Sequence, residues 1–113
     1  MSVTFPEDFN LADYWLFARE REGKGSKVAL RFGERTWTYA EVAHRARGLA
    51  KALVTEGLTP GQRVYIVLSD SPAFVWSIFG VLAAGGVVTM GNPIAPVEDL
   101  AYVVDYVGAA WLI

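Results

Sequence analysis

Between Asp70 and Glu98 the chain runs for 27 residues without a formal charge. From Val64 to Ile113 it holds no Lys or Arg and only four acids, Asp70, Glu98, Asp99 and Asp105. All ten Lys and Arg therefore lie in residues 1–63. A stretch this poor in charge cannot cover its own surface with polar groups. Either lipid, a partner copy or further polypeptide must bury it.

Lipid is the weakest of the three. About 20 apolar residues are needed to span a bilayer, and the run over 72–90 is punctuated. Ser71-Pro72 reads as a helix start, with Ser as N-cap and Pro at the first helical position. Gly85-Gly86 reads as a helix stop, and Asn92-Pro93 breaks the chain again. No Lys or Arg flanks the run to orient it in a membrane. Residues 1–10 show neither a basic segment nor an apolar core of a signal peptide. The chain reads as soluble and cytoplasmic, with no membrane partner.

Composition excludes several function classes. The absence of Cys removes disulfides, thiolate metal sites and a cysteine nucleophile. The single histidine, His44, removes a multi-histidine metal centre. A net charge of −2 gives no electrostatic basis for binding nucleic acid. With 53% apolar residues the chain is globular, and 113 residues suit one domain.

The pattern divides into two parts. Residues 9–62 predict a helix, a hairpin and a second helix. Asn10 caps a helix over Leu11–Glu22, with Leu11, Tyr14, Trp15 and Ala18 at helical spacing. Val28–Phe32 and Arg35–Thr38 read as strands joined at Gly33-Glu34. Thr38-Tyr39-Ala40-Glu41 is a capping box that opens a helix running to about Glu56 and stopped by Gly57. Its buried stripe is Val42, Ala46, Leu49 and Leu53. Pro60-Gly61 makes a turn within Leu58–Gln62.

Residues 63–113 alternate more regularly. Val64–Leu68, Val87–Met90 and Ala110–Ile113 are apolar strands, separated by helices over Pro72–Ala84 and Val97–Val107. Strands without alternation, separated by helices, indicate a parallel sheet covered on both faces. The fold class is α/β: an N-terminal helix and β-hairpin followed by a β-α-β-α-β parallel-sheet unit with right-handed crossovers. The chain stops within strand chemistry at Trp111-Leu112-Ile113, so it is expected to be the N-terminal piece of a larger domain. The rest of that protein, or a second copy, would cover residues 72–113.

Motifs for chemistry are sparse. Gly23-Lys24-Gly25-Ser26 fails the Walker pattern and lies after a helix and before a strand, so it reads as a connecting loop. Ser69-Asp70-Ser71-Pro72 and Gly91-Asn92-Pro93 lie at the carboxyl ends of parallel strands, where ligands bind in open α/β sheets. Both lack phosphate-loop glycines and read first as structural caps. His44, Arg45, Arg47 and Lys51 read as a solvated helix face, and Trp15, Trp37, Trp76 and Trp111 as core or buried-interface residues. Gly80 and Ala84 read as a close helix contact. No carboxylate pair or nucleophile–base pair emerges. No residue is assigned a catalytic, cofactor-binding or metal-binding role.

The order of these segments resembles the N-terminal portion of the adenylate-forming acyl-CoA synthetases, the AMP-binding superfamily that also holds luciferases and peptide-synthetase adenylation domains. The resemblance runs from Phe9 to Ile113. It is carried by Lys27-Val28-Ala29-Leu30, Arg35-Thr36-Trp37-Thr38-Tyr39-Ala40-Glu41-Val42, Pro60-Gly61-Gln62-Arg63-Val64, Ser69-Asp70-Ser71-Pro72-Ala73-Phe74, Gly80–Val88 and Asn92-Pro93. Phe9-Asn10-Leu11-Ala12-Asp13-Tyr14 and Arg21-Glu22-Gly23-Lys24-Gly25 look most like the benzoate-CoA ligase branch. The resemblance implies an acid-thiol ligase. A small carboxylate and ATP give an acyl-adenylate, with magnesium balancing charge, and coenzyme A then takes the acyl group as a thioester. The family's working motifs lie beyond this stretch, so the isolated chain is expected to be inactive. Some relatives place a basic residue that helps hold coenzyme A where this chain has Ile94, and no such role carries over. The alternative is a stand-alone, non-catalytic oligomeric binding or scaffold module derived from such an enzyme.

Overall fold

The computed structural model describes residues 2–113. Asn10 opens the first helix as expected: its Oδ1 accepts from the backbone N–H groups of Ala12 and Asp13 at 2.9 and 3.2 Å. Helix α1 then departs from regular spacing. It begins as five residues of π-helix, Asp13–Phe17, and continues as α-helix over Ala18–Arg21. Leu11, Tyr14 and Trp15 are exposed, whereas Ala12 and Leu16 are buried. The buried face is therefore turned from the one its apolar spacing predicts. The reason is the neighbour. Leu16 packs with Val42, Ala43 and Ala46 of the next helix.

Strands β1 (Val28–Phe32) and β2 (Arg35–Thr38) pair antiparallel, with Phe32 opposite Arg35. The two-residue loop places Gly33 at φ 60°, which a hairpin turn requires at its first central position. Helix α2 (Tyr39–Thr55) starts at the predicted capping box. The Thr38 N–H donates to Glu41 Oε2 at 2.7 Å, and the Glu41 N–H donates to Thr38 Oγ1 at 3.2 Å. The helix ends at Gly57, whose φ is 105°. Leu58 N–H reaches back to the Leu53 carbonyl at 2.9 Å, and both side chains enter the core.

The second part is a three-stranded parallel sheet in the order β4-β3-β5. Its strands are β3 (Arg63–Ile66), β4 (Val87–Met90) and β5 (Ala109–Leu112), connected through α3 (Pro72–Ala83) and α4 (Val97–Val107). The first strand of the unit is thus the central one, which explains why Val64, Tyr65 and Ile66 are all buried. Val64 and Ile66 face α3, in a cluster with Leu53, Leu58 and Val81. The chain crosses from β3 to β4, then back over β3 to β5. Right-handed crossovers in opposite directions place α3 and α4 on opposite faces. Trp111 Nε1 donates to Gln62 Oε1 at 3.1 Å, tying β5 to the Pro60-Gly61 turn.

The part of the chain that lacks Lys and Arg carries the apolar exposure expected of it. Val97, Tyr102, Tyr106 and, on β5, Leu112 are each more than half exposed. Among the described residues no helix is long and apolar enough to cross a membrane.

Helix α2 joins the two parts by packing on α3. A Cβ at Gly80 would lie 3.0 Å from the Ala46 carbonyl oxygen and 3.0 Å from Leu49 Cβ. Gly80 is therefore the point of closest approach, in line with the expected helix contact at Gly80 and Ala84. Gly48, in the middle of α2, has nothing within 4 Å of where its Cβ would stand. The two glycines predict opposite outcomes. Gly80→Ala lowers stability by about 1–3 kcal/mol, because backbone and a core leucine must give way. Gly48→Ala raises it by about 1 kcal/mol, the helix-propensity difference. Urea midpoints that move in opposite directions at constant slope would bear this out.

Candidate functional site

The loops after β3 and β4 leave the carboxyl edge of the parallel sheet. The loop after β3 rises towards one face and the loop after β4 towards the other, the arrangement in which open α/β sheets hold ligands. The first loop carries Ser69, Asp70 and Ser71, and the second carries Gly91, Asn92, Pro93 and Ile94.

The polar side chains of both loops serve the loops themselves. Ser71 Oγ accepts from the Phe74 N–H at 3.4 Å and caps α3, with Pro72 at the first helical position. Asn92 Oδ1 accepts from the Ile94 N–H at 3.1 Å, and the Asn92 carbonyl accepts from the Ala95 N–H at 3.1 Å. These are local turn bonds. Asp70 stands exposed beside a small depression shared with Arg31, Phe32 and Val75. Ile94 is 87% exposed.

Gly91 has a tighter role. Its N–H donates to the Ile66 carbonyl at 2.9 Å, extending the β3–β4 ladder. A Cβ there would overlap the buried Tyr65 ring, at 2.3 Å from Cζ and 2.0 Å from the hydroxyl oxygen. Tyr65 thus fills the space beneath the second loop, and only glycine lets the backbone pass over it.

The chemistry of these residues does not suit a bound nucleotide. A triphosphate needs cations or a run of free backbone N–H groups. The two loops offer Asp70 as their one charged side chain, with Arg31 lining the depression beside it. Among the described residues no group of three or more His, Asp or Glu is placed to hold a metal ion. The two loops by themselves supply no such set, and Ile94 carries no charge to meet an anionic group.

The other motifs fall as follows. Gly23-Lys24-Gly25-Ser26 is a connecting loop: Gly23 takes φ 77°, and Lys24 Nζ pairs with Glu22 at 3.2 Å. Arg21 holds Asp13 through two bonds of 2.7 and 2.9 Å, which keeps the Asp13 carboxyl below the ordinary value of 3.8. This contribution is present above that value and fades as pH falls through the lowered one; both side chains are exposed, so it is small. His44 is exposed, as expected.

Trp37, Trp76 and Trp111 pack against the core as expected, whereas Trp15 departs from its sequence reading. Trp15 is 55% exposed, in a row of rings with Phe5, Phe9 and Tyr14, because the buried side of α1 is taken by Ala12 and Leu16. Arg45 and Arg47 are exposed, as expected, and each also lies over a ring. Arg47 stacks on Phe17 and pairs with Glu20, and Arg45 lies over Trp76. Arg35 lies over Trp37. Nothing in the local sequence pattern brings Arg35, on a strand, beside Arg45, on a helix; only the packing of α2 on the hairpin does.

The family model described as AMP-binding enzyme matches residues 17–113. Tyrocidine synthase 3 of Brevibacillus parabrevis is 35% identical over 98 residues, covering 87% of this chain and 2% of that protein. A benzoate CoA ligase from Burkholderia xenovorans superposes with a TM-score of 0.84 at 33% identity, covering 93% of this chain and 21% of that one. An anthranilate CoA ligase in complex with anthranoyl-AMP superposes with a TM-score of 0.85 at 25% identity, covering 96% and 20%. The chain thus spans about a fifth of these solved ligases and far less of the peptide synthase.

The overlap at Gly91 makes a direct prediction. Gly91→Ala destabilises the chain by about 1–3 kcal/mol through the displaced Tyr65 ring. Tyr65→Leu in the same chain recovers part of that loss, which a double-mutant cycle of unfolding midpoints measures.

Proposed function

The chain belongs to the AMP-binding enzyme family, and from that premise we propose that it is the N-terminal portion of a cytoplasmic ligase that activates a small aryl carboxylate as its adenylate and passes the acyl group to coenzyme A. The observation that carries this reading is the superposition of 93% of the chain on a benzoate CoA ligase at 33% identity. The anthranilate CoA ligase supports the same class of acid.

Within such an enzyme the residues of this chain have a structural task. Central β3 and the Tyr65–Gly91 contact fix the two loops at the carboxyl edge, and α3 locks the sheet to α2 through Gly80. ATP, magnesium and coenzyme A are bound by residues outside this chain, so no chemical step is assigned to its side chains. The apolar residues exposed between Val87 and Leu112 support a covering surface supplied by the rest of the enzyme.

A second reading has its own observation. The 35% identity to tyrocidine synthase 3 favours an adenylation unit of a peptide synthase, in which coenzyme A is not the acceptor.

The intact mass and activity of the native gene product test both. Under our reading the product is several hundred residues long, catalyses ATP–pyrophosphate exchange with benzoate or anthranilate, and consumes coenzyme A. Exchange without consumption of coenzyme A favours the peptide-synthase reading. A product near 12.4 kDa that forms a monodisperse oligomer and gives no exchange overturns both in favour of a scaffold module. The 113-residue chain alone is expected to give no exchange above a heat-killed control.

A further inference from the structure

We infer that the depression where β2 meets the first half of α2 is a binding site for a planar aromatic acid, with the carboxylate on Arg35 and Arg45 and the ring over Gly48 beside Trp76. The site lies away from the carboxyl edge of the sheet, and the inference goes beyond the proposed ligase activity without resting on it.

Two depressions of about 360 Å³ each adjoin here. Arg35, Trp37 and Glu41 line the first, Gly48 and Trp76 line the second, and His44 and Arg45 line both. On α2, positions 41, 44, 45 and 48 fall on one face. The two indoles meet edge to face at 6.3 Å and are half-buried, so they form a fixed wall.

The guanidinium carbon of Arg35 lies 4.8 Å from the centre of Trp37, and that of Arg45 lies 5.7 Å from the centre of Trp76. A guanidinium stacked on a ring is held in orientation while its in-plane N–H donors stay free. Neither arginine is ion-paired among the described residues, whereas Arg19, Arg21, Lys24 and Arg47 all are. The one carboxylate in the cleft, Glu41, is committed to the Thr38 N–H at 2.7 Å. The cleft therefore presents two oriented forks that no ion pair engages, beside one carboxylate already bonded through Oε2, and such forks grip a carboxylate through paired hydrogen bonds.

Gly48 supplies an independent observation. A glycine inside a 17-residue helix is unfavourable, and nothing packs against this one. No neighbour demands it, yet its missing side chain deepens the floor beside Trp76. A flat ring fits against that floor, and a bulkier side chain would fill it.

The test is fluorine NMR of the native gene product carrying 5-fluorotryptophan, titrated with benzoate. Trp37→Phe and Trp76→Phe assign the two resonances. Benzoate is expected to shift both saturably and to leave those of Trp15 and Trp111 in place. Cyclohexanecarboxylate and inorganic phosphate should shift them at least about tenfold more weakly. Replacing Arg35 and Arg45 together by Lys keeps the charge and removes the forks, and should weaken binding about tenfold. Gly48→Leu should abolish the Trp76 shift with the Trp111 resonance unchanged, which reports an intact fold. The inference is overturned by equal shifts from phosphate or cyclohexanecarboxylate, by undiminished binding in the double-lysine protein, or by no saturable shift at tens of millimolar benzoate.

Discussion

The approach of α2 to α3 at Gly80 is the contact on which the rest of the molecule depends. The hairpin before it and the parallel sheet after it are separate sheets, and Asn10 Nδ2 adds one bridging bond to the Leu82 carbonyl at 2.7 Å. What unites them is the packing of two helices close enough that a single methyl group would meet the Ala46 carbonyl and the Leu49 side chain. Leu53 and Leu58, from the end of α2, enter the same cluster as Val64, Ile66 and Val81. The hydrophobic core thus crosses the boundary between the charged half of the chain and the uncharged one.

That contact also sorts the surfaces. On the side of α2, arginines are stacked on rings or paired with acids, and the face is finished by charge. Helix α4 itself carries no cation, and large apolar side chains stand in the open on it. A surface of the first kind suits water and small anions. One of the second kind suits another apolar surface. The asymmetry follows from the placement of Lys and Arg before residue 64 and from crossovers that put α3 and α4 on opposite faces of β3.

Most elements were legible because their signals are local. The Thr38–Glu41 capping box, the Gly33 turn, and the helix stops at Gly57, Gly85 and Gly108 each rest on residues within a few positions of one another. The face of α1 was not legible. Spacing favoured Leu11, Tyr14 and Trp15, but burial depends on what lies opposite, and α2 offers a surface that takes Leu16. The same limit hid the cleft of Arg35, Arg45, Trp37 and Trp76. Each residue alone has an ordinary surface or core reading, and their meaning comes from being brought together.

By itself the sequence determined the element types, the caps and turns and the parallel character of the sheet. Backbone hydrogen bonding and short-range sterics decide these, and both act between near neighbours. Only the tertiary structure decided that β3 is central, that Tyr65 lies beneath Gly91, and that two arginines from different elements share one hollow. These depend on contacts between residues far apart in the chain, where packing selects one arrangement among many that the local pattern allows.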